Sequence, residues 1–133
     1  MVYPSVLDDM DVARDIMSKK NCSIVVVKDG KVLTEKQGNG IRPILDAIVQ
    51  LGESMNGTVI GDRILGKASA LLCVHSKVDG VYSPQATKTA VAVLIRAGIP
   101  GQTEEIIPFV KNRDGDDICP FEKMLADIDS KPG

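Results

Sequence analysis

The segment Ser23-Ile24-Val25-Val26-Val27-Lys28-Asp29-Gly30 constrains the fold of this chain more than any other. Four consecutive β-branched residues without polar alternation read as a short strand buried on both faces. Asp-Gly then fits a two-residue hairpin turn, whose central positions need positive φ. Lys31 to Glu35 return as the partner strand. A hairpin here commits the fold to a sheet with an antiparallel part, and the flanking periodicity decides what covers it.

Before the hairpin, Ser5 reads as a helix N-cap, and Val6, Met10, Ala13 and Met17 recur at helical spacing. Asp8 and Asp9 sit in the first turn of that helix and Lys19 and Lys20 in the last, as the helix dipole favours. After the hairpin, Gly38-Asn39-Gly40 breaks the chain. A second helix follows, with Ile41, Ile44, Leu45, Ile48, Val49 and Met55 on one face, Pro43 in its first turn and Asn56-Gly57 at its end. Thr58-Val59-Ile60 is a third strand ending at Gly61-Asp62. The next helix places Ile64, Ala68, Leu71 and His75 on one side. Val78 to Tyr82 is a fourth strand. Ser83 and Pro84 read as N-cap and first residue of a helix with the stripe Ala86, Ala90, Val93, Leu94 and Ala97, closed by Gly98. Glu104 to Val110 is a fifth strand whose Pro108 suggests a sheet edge. A last helix carries Phe121, Met124, Leu125 and Ile128. The order predicts a three-layer α/β/α sandwich with a mixed sheet: an antiparallel hairpin joined to parallel βαβ units, in one domain over residues 1–133.

Composition removes several functions. The chain has no Trp, two Phe and two Tyr, so its core is aliphatic and offers no stacking platform for single-stranded nucleic acid. The net charge is −2, and the basic pairs Lys19-Lys20 and Lys111/Arg113 have acids close by, unlike a nucleic-acid footprint. Three widely spaced cysteines, Cys22, Cys73 and Cys119, do not form a disulfide framework. No signal peptide precedes the first helix, and no apolar run is long enough to span a membrane. A cytoplasmic protein is expected.

Three stretches carry a family resemblance. They are Ile24 to Gly30, Gly61-Asp62-Arg63-Ile64-Leu65-Gly66-Lys67-Ala68-Ser69-Ala70-Leu71-Leu72, and Lys111-Asn112-Arg113-Asp114-Gly115 with Cys119-Pro120 and Glu122. With these the chain resembles a small uncharacterised prokaryotic family that has a cytidine deaminase-like fold. The resemblance implies that fold and no activity. Zinc deaminases use a His or Cys with a Glu two residues on at one helix start, and Pro-Cys-x-x-Cys at another. The helix starts here offer Gly66-Lys67-Ala68 and Pro84-Gln85-Ala86-Thr87-Lys88, which lack thiolate and imidazole ligands. Zinc-dependent deamination is therefore not expected, and no metal or other cofactor is implied.

The candidate site residues follow from position and chemistry. Asp62 and Lys67 flank a strand-to-helix junction, where open α/β sheets bind ligands. Asp62 could accept from a ligand hydroxyl or amine, or act as a base, and Lys67 could hold a phosphate or carboxylate. A capping Asp with a solvated Lys is the plainer alternative. Ser83 heads the following helix on the same edge, as a cap or a pocket residue. The Lys111-Asn112-Arg113-Asp114 stretch adds cations suited to an anionic ligand. Cys119 precedes Pro120 at a helix N-cap, where the dipole favours a thiolate, so it is a candidate nucleophile with Glu122 as capping-box residue or base. Asp114, Asp116 and Asp117 oppose that activation. Their run with Gly115 lacks the ligand pattern of a calcium loop and reads as an acidic turn. His75 with Cys73 lacks two further zinc ligands and suits a helix C-terminus. Three functions remain: a protein binding a small anionic ligand such as a nucleotide; a metal-independent enzyme using Cys119 with Asp62 or Glu122; and a scaffolding subunit that self-associates through its Ala-rich helices.

Overall fold

The computed structural model describes residues 4–108. Helix α1 spans Pro4–Lys19. Strands β1 (Ile24–Lys28) and β2 (Lys31–Lys36) form the hairpin, and α2 (Arg42–Leu51) runs into a 3-10 turn at Gly52–Met55. The short strands β3 (Val59–Asp62) and β4 (Ile64–Leu65) lead into α3 (Lys67–His75). Strand β5 (Gly80–Thr87), α4 (Lys88–Ala97) and β6 (Gly101–Ile107) complete the described chain.

Strand β1 pairs antiparallel with β2 on one side and β3 on the other. Strands β3, β4 and β6 are all parallel to β5. The mixed sheet is thus the expected one. At the hairpin, Asp29 and Gly30 take φ of 51° and 78°, as a two-residue turn requires. Asp9 secures that turn: its carboxylate accepts from the Asp29 N–H at 3.0 Å and the Gly30 N–H at 2.8 Å. It serves the hairpin rather than the helix dipole, since α1 begins at Pro4 and neither Asp8 nor Asp9 falls in its first turn.

Alternation along β1 divides the two cores. Val25 and Val27 pack with Ala13 and Met17 of α1, whereas Ile24 and Val26 pack with Ile44 and Ala47 of α2 and Ala70 and Cys73 of α3. One helix therefore covers one face, and α2, α3 and α4 cover the other. Helix α1 lies close to the sheet because it rests on glycines. A Cβ on Gly61 would fall 2.7 Å from Val25 Cγ1 and 3.2 Å from Ala13 Cβ, and one on Gly80 would fall 2.6 Å from Met10 Cε. Arg63 ties down the end of α1. Its Nη2 donates to the Met17 and Lys20 carbonyls at 3.0 and 2.9 Å, and its Nε to the Cys22 carbonyl at 2.9 Å.

Several expected boundaries move. Pro4 stands at the first helical position, so Ser5 lies inside α1 rather than capping it. Ile64 belongs to a strand, not to the helix beginning at Lys67. Val49 projects from α2 and is 85% exposed, not part of the buried face. Strand β6 begins at Gly101, three residues before the expected Glu104, and Pro108 follows it instead of interrupting it. The last expected helix lies outside the described residues.

The largest correction concerns Ser83 and Pro84. Ser-Pro is a helix-start signal, yet both residues lie in β5, and the next helix is capped by Thr87, whose hydroxyl accepts from the Ala90 N–H at 3.1 Å. A proline in a strand paired on both sides must be accommodated, since it has no N–H to give. The ladder skips it: β3 and β4 hold one register against β5 (Gly61 opposite Tyr82, Ile64 opposite Gln85) and separate at Asp62–Arg63, level with Ser83–Pro84. Ile60 and Leu65, and likewise Val81 and Ala86, enter the same core although each pair is five residues apart. Facing alternation therefore slips once in both strands at that level. This matched slip positions the candidate site.

Candidate ligand site at the parallel strand ends

Asp62 ends β3 at the slip, and Lys67 opens α3. Both are buried, Asp62 6% and Lys67 3% exposed. Ser69 and Thr87 are buried with them. The expectation of a solvated lysine is therefore corrected: packing has taken Lys67 out of water. A buried ammonium needs anionic or hydrogen-bonding company. At a helix N-terminus the dipole adds an unfavourable term that such company must offset. Asp62 and Lys67 both hold interaction partners, and no buried side-chain polar atom among the described residues lacks a hydrogen bond.

Asp62 makes itself felt at Cys73 on α3. Burial pushes that thiol far above its ordinary range, and the negative charge of Asp62 pushes it further the same way. Cys22 is also raised, by burial first and by Glu35 second. Both shifts disfavour the thiolate. His75 lies at the C-terminal end of α3, as its dipole favours.

Ser83 stands level with Asp62 in the β3–β5 register, but its hydroxyl donates to the Gln85 carbonyl at 2.5 Å. It lines a cavity of about 140 Å³ beneath α4, with Leu65, Val81, Ala86 and Leu94. The cavity draws on residues from Leu65 to Thr103 that no local sequence pattern unites. Cys119, Glu122, Lys111, Asn112, Arg113 and Asp114 lie outside the described residues, as does the acidic Asp114–Asp117 run.

Among the described residues there is no zinc site of the deaminase type. The helix starts Ile41-Arg42-Pro43, Gly66-Lys67-Ala68 and Thr87-Lys88-Thr89 contain no Cys, His or Glu. No group of three metal-ligating side chains occurs among the described residues. Among them, too, no helix is long and apolar enough to cross a membrane.

The architecture is cytidine deaminase-like. It is similar to dCMP deaminase from the cyanophage S-TIM5, with a TM-score of 0.51 and 17% identity over 77% of this chain and 99% of that one. It is also similar to Acinetobacter baumannii RibD, with a TM-score of 0.52 and 19% identity over 74% of this chain and 34% of that one. At such identities the likeness shows the fold alone. Within this fold the chain belongs to the DUF1893 family, a domain of unknown function whose pattern matches residues 12–132. The DUF1893 family protein TM1506 of Thermotoga maritima is similar over 97% of this chain and 84% of its own, with a TM-score of 0.82 and 27% identity. No curated protein matches the chain.

Proposed function

We propose that this protein binds a small anionic molecule, such as a nucleotide or phosphorylated metabolite, at the C-terminal ends of β3 and β5 without deaminating it. The observation that supports this most is the burial of two charged side chains along one strand-to-helix segment, Asp62 at the end of β3 and Lys67 at the start of α3 just after β4. Open α/β sheets use that junction for ligands, and charged side chains are seldom placed there at such desolvation cost for stability alone. Lys67 would meet the phosphate and Asp62 a hydroxyl or amine. Lys111, Asn112, Arg113 and Asp114 are proposed as further ligand contacts from sequence. The S-TIM5 enzyme, determined in complex with dCMP and dUMP, indicates the ligand size this scaffold can take. With no Cys, His or Glu at the starts of α2, α3 and α4, binding rather than zinc-assisted hydrolysis is the fitting role.

The test is thermal stabilisation of the full chain by dCMP, dUMP, AMP and inorganic phosphate. A ligand at about 100 times its Kd adds about 2.7 kcal/mol to stability. At least one nucleotide should raise Tm in the wild type and not in Lys67→Met. Absence of any shift at millimolar concentration, or an undiminished shift in the variant, would overturn the proposal.

A further inference from the structure

We propose that the cavity between α4 and β6 is a second small-molecule site, which takes a compact uncharged molecule carrying a hydrogen-bond donor. Its volume of about 140 Å³ suits a ring the size of benzene, for which roughly 150 Å³ suffices in an enclosed apolar cavity, and it opens to solvent past the exposed Ile95, Gln102 and Thr103. Leu65, Val81, Ala86, Val91, Leu94 and Ile99 supply most of its wall, with Ser83, Gln102 and Thr103 as its polar residues. Among the described residues no charged side chain lines it, so an ionised ligand would lose hydration without return. Gly101 helps keep it open: a Cβ there would stand 3.2 Å from Leu94 Cδ1.

The polarity of the ligand follows from the hydroxyls. A serine or threonine hydroxyl has one proton and two lone pairs. Ser83 gives its proton to the Gln85 carbonyl at 2.5 Å, and Thr103 gives its proton to the Glu105 carbonyl at 3.2 Å. Both protons are committed to the backbone, which leaves lone pairs. At the buried Ser83 the complementary ligand group is therefore an O–H or N–H, while the exposed Gln102 amide at the rim can either donate or accept. This site differs in chemistry from the Asp62–Lys67 cluster, so either can fail without the other.

Phenol, aniline, toluene and benzoate probe the cavity at nearly constant size. In NMR titrations of the full chain, phenol and aniline should bind saturably, with shifts concentrated on Val91–Thr103. Toluene should bind up to about tenfold more weakly, the worth of one hydrogen bond. Benzoate should not saturate. Ser83→Ala should bring phenol down toward toluene, and Val91→Phe, which fills the space, should abolish both. The phenol-to-toluene ratio in Ser83→Ala keeps the test decisive should Val91→Phe unfold. Failure of phenol to saturate, equal binding of benzoate, shifts confined elsewhere, or an unchanged ratio in Ser83→Ala would overturn the proposal.

Discussion

The two faces of the sheet are built to different tolerances. On the α1 face the helix rests directly on Gly61 and Gly80, and Arg63 fastens its end by three hydrogen bonds to backbone carbonyls. On the opposite face, α3 packs around the fully buried Cys73, while Leu94 of α4 reaches Gly101 of β6 and a cavity of about 140 Å³ lies beside that contact. The same sheet is therefore closed on one side and partly open on the other. Asp62, Lys67 and Ser83 all belong to the side with room, or to the strand slip that borders it. Dense packing fixes the strands, and looser packing leaves space for a ligand.

Substitutions that violate the close packing should cost most. Gly61→Ala should lower stability by about 3 kcal/mol in denaturant melts, because Val25 and Ala13 lie too near to yield. Gly80→Ala should cost a similar amount: the Met10 methyl can swing aside, but Val6 Cγ1, at 2.8 Å from the added Cβ, belongs to a stiff β-branched side chain. Next, Arg63→Met should cost about 2 kcal/mol by leaving the Met17, Lys20 and Cys22 carbonyls without their donor. Hydrogen exchange in that variant should quicken first at the end of α1.

Cys73 tests how dry the other face is at α3. Its thiol is raised by burial and by Asp62, so the native state resists ionisation while the unfolded chain does not. The unfolded chain loses that proton near the ordinary cysteine range and the folded chain only far above it. Stability should therefore be intact below about pH 8.5 and fall by up to about 1.4 kcal/mol per pH unit above it. Cys73→Ala should flatten that alkaline decline in urea melts at pH 8, 9 and 10. The smallest effect belongs to the cavity. Val91→Ile should change stability by about 0.5 kcal/mol or less, and in the stabilising direction, because the extra methylene enters empty space.

Much of this fold was legible in the chain. Four β-branched residues and Asp29-Gly30 announce the hairpin because strand burial and turn geometry are local requirements. The Asp62–Lys67 stretch was legible only in outline: it reads as a strand running straight into a helix, whereas Ile64 and Leu65 form a further short strand between them. The burial of Lys67 was not, because only the packing of α3 against the sheet removes a lysine from water. Ser83-Pro84 misled because the pair carries the local signature of a helix start. What allows it inside β5 is a partner strand broken at the same level, at Asp62–Arg63. The cavity was invisible in sequence because its walls come from four separate elements.

The account turns on the Asp62–Lys67 junction as the place where an anionic ligand binds. Titration of the ¹⁵N-labelled full chain with dCMP measures this most directly. Saturable shifts centred on Gly61–Ala70, lost in Lys67→Met and unchanged by EDTA, are the predicted result. No saturable shift at millimolar dCMP, or shifts that leave Gly61–Ala70 untouched, would contradict it.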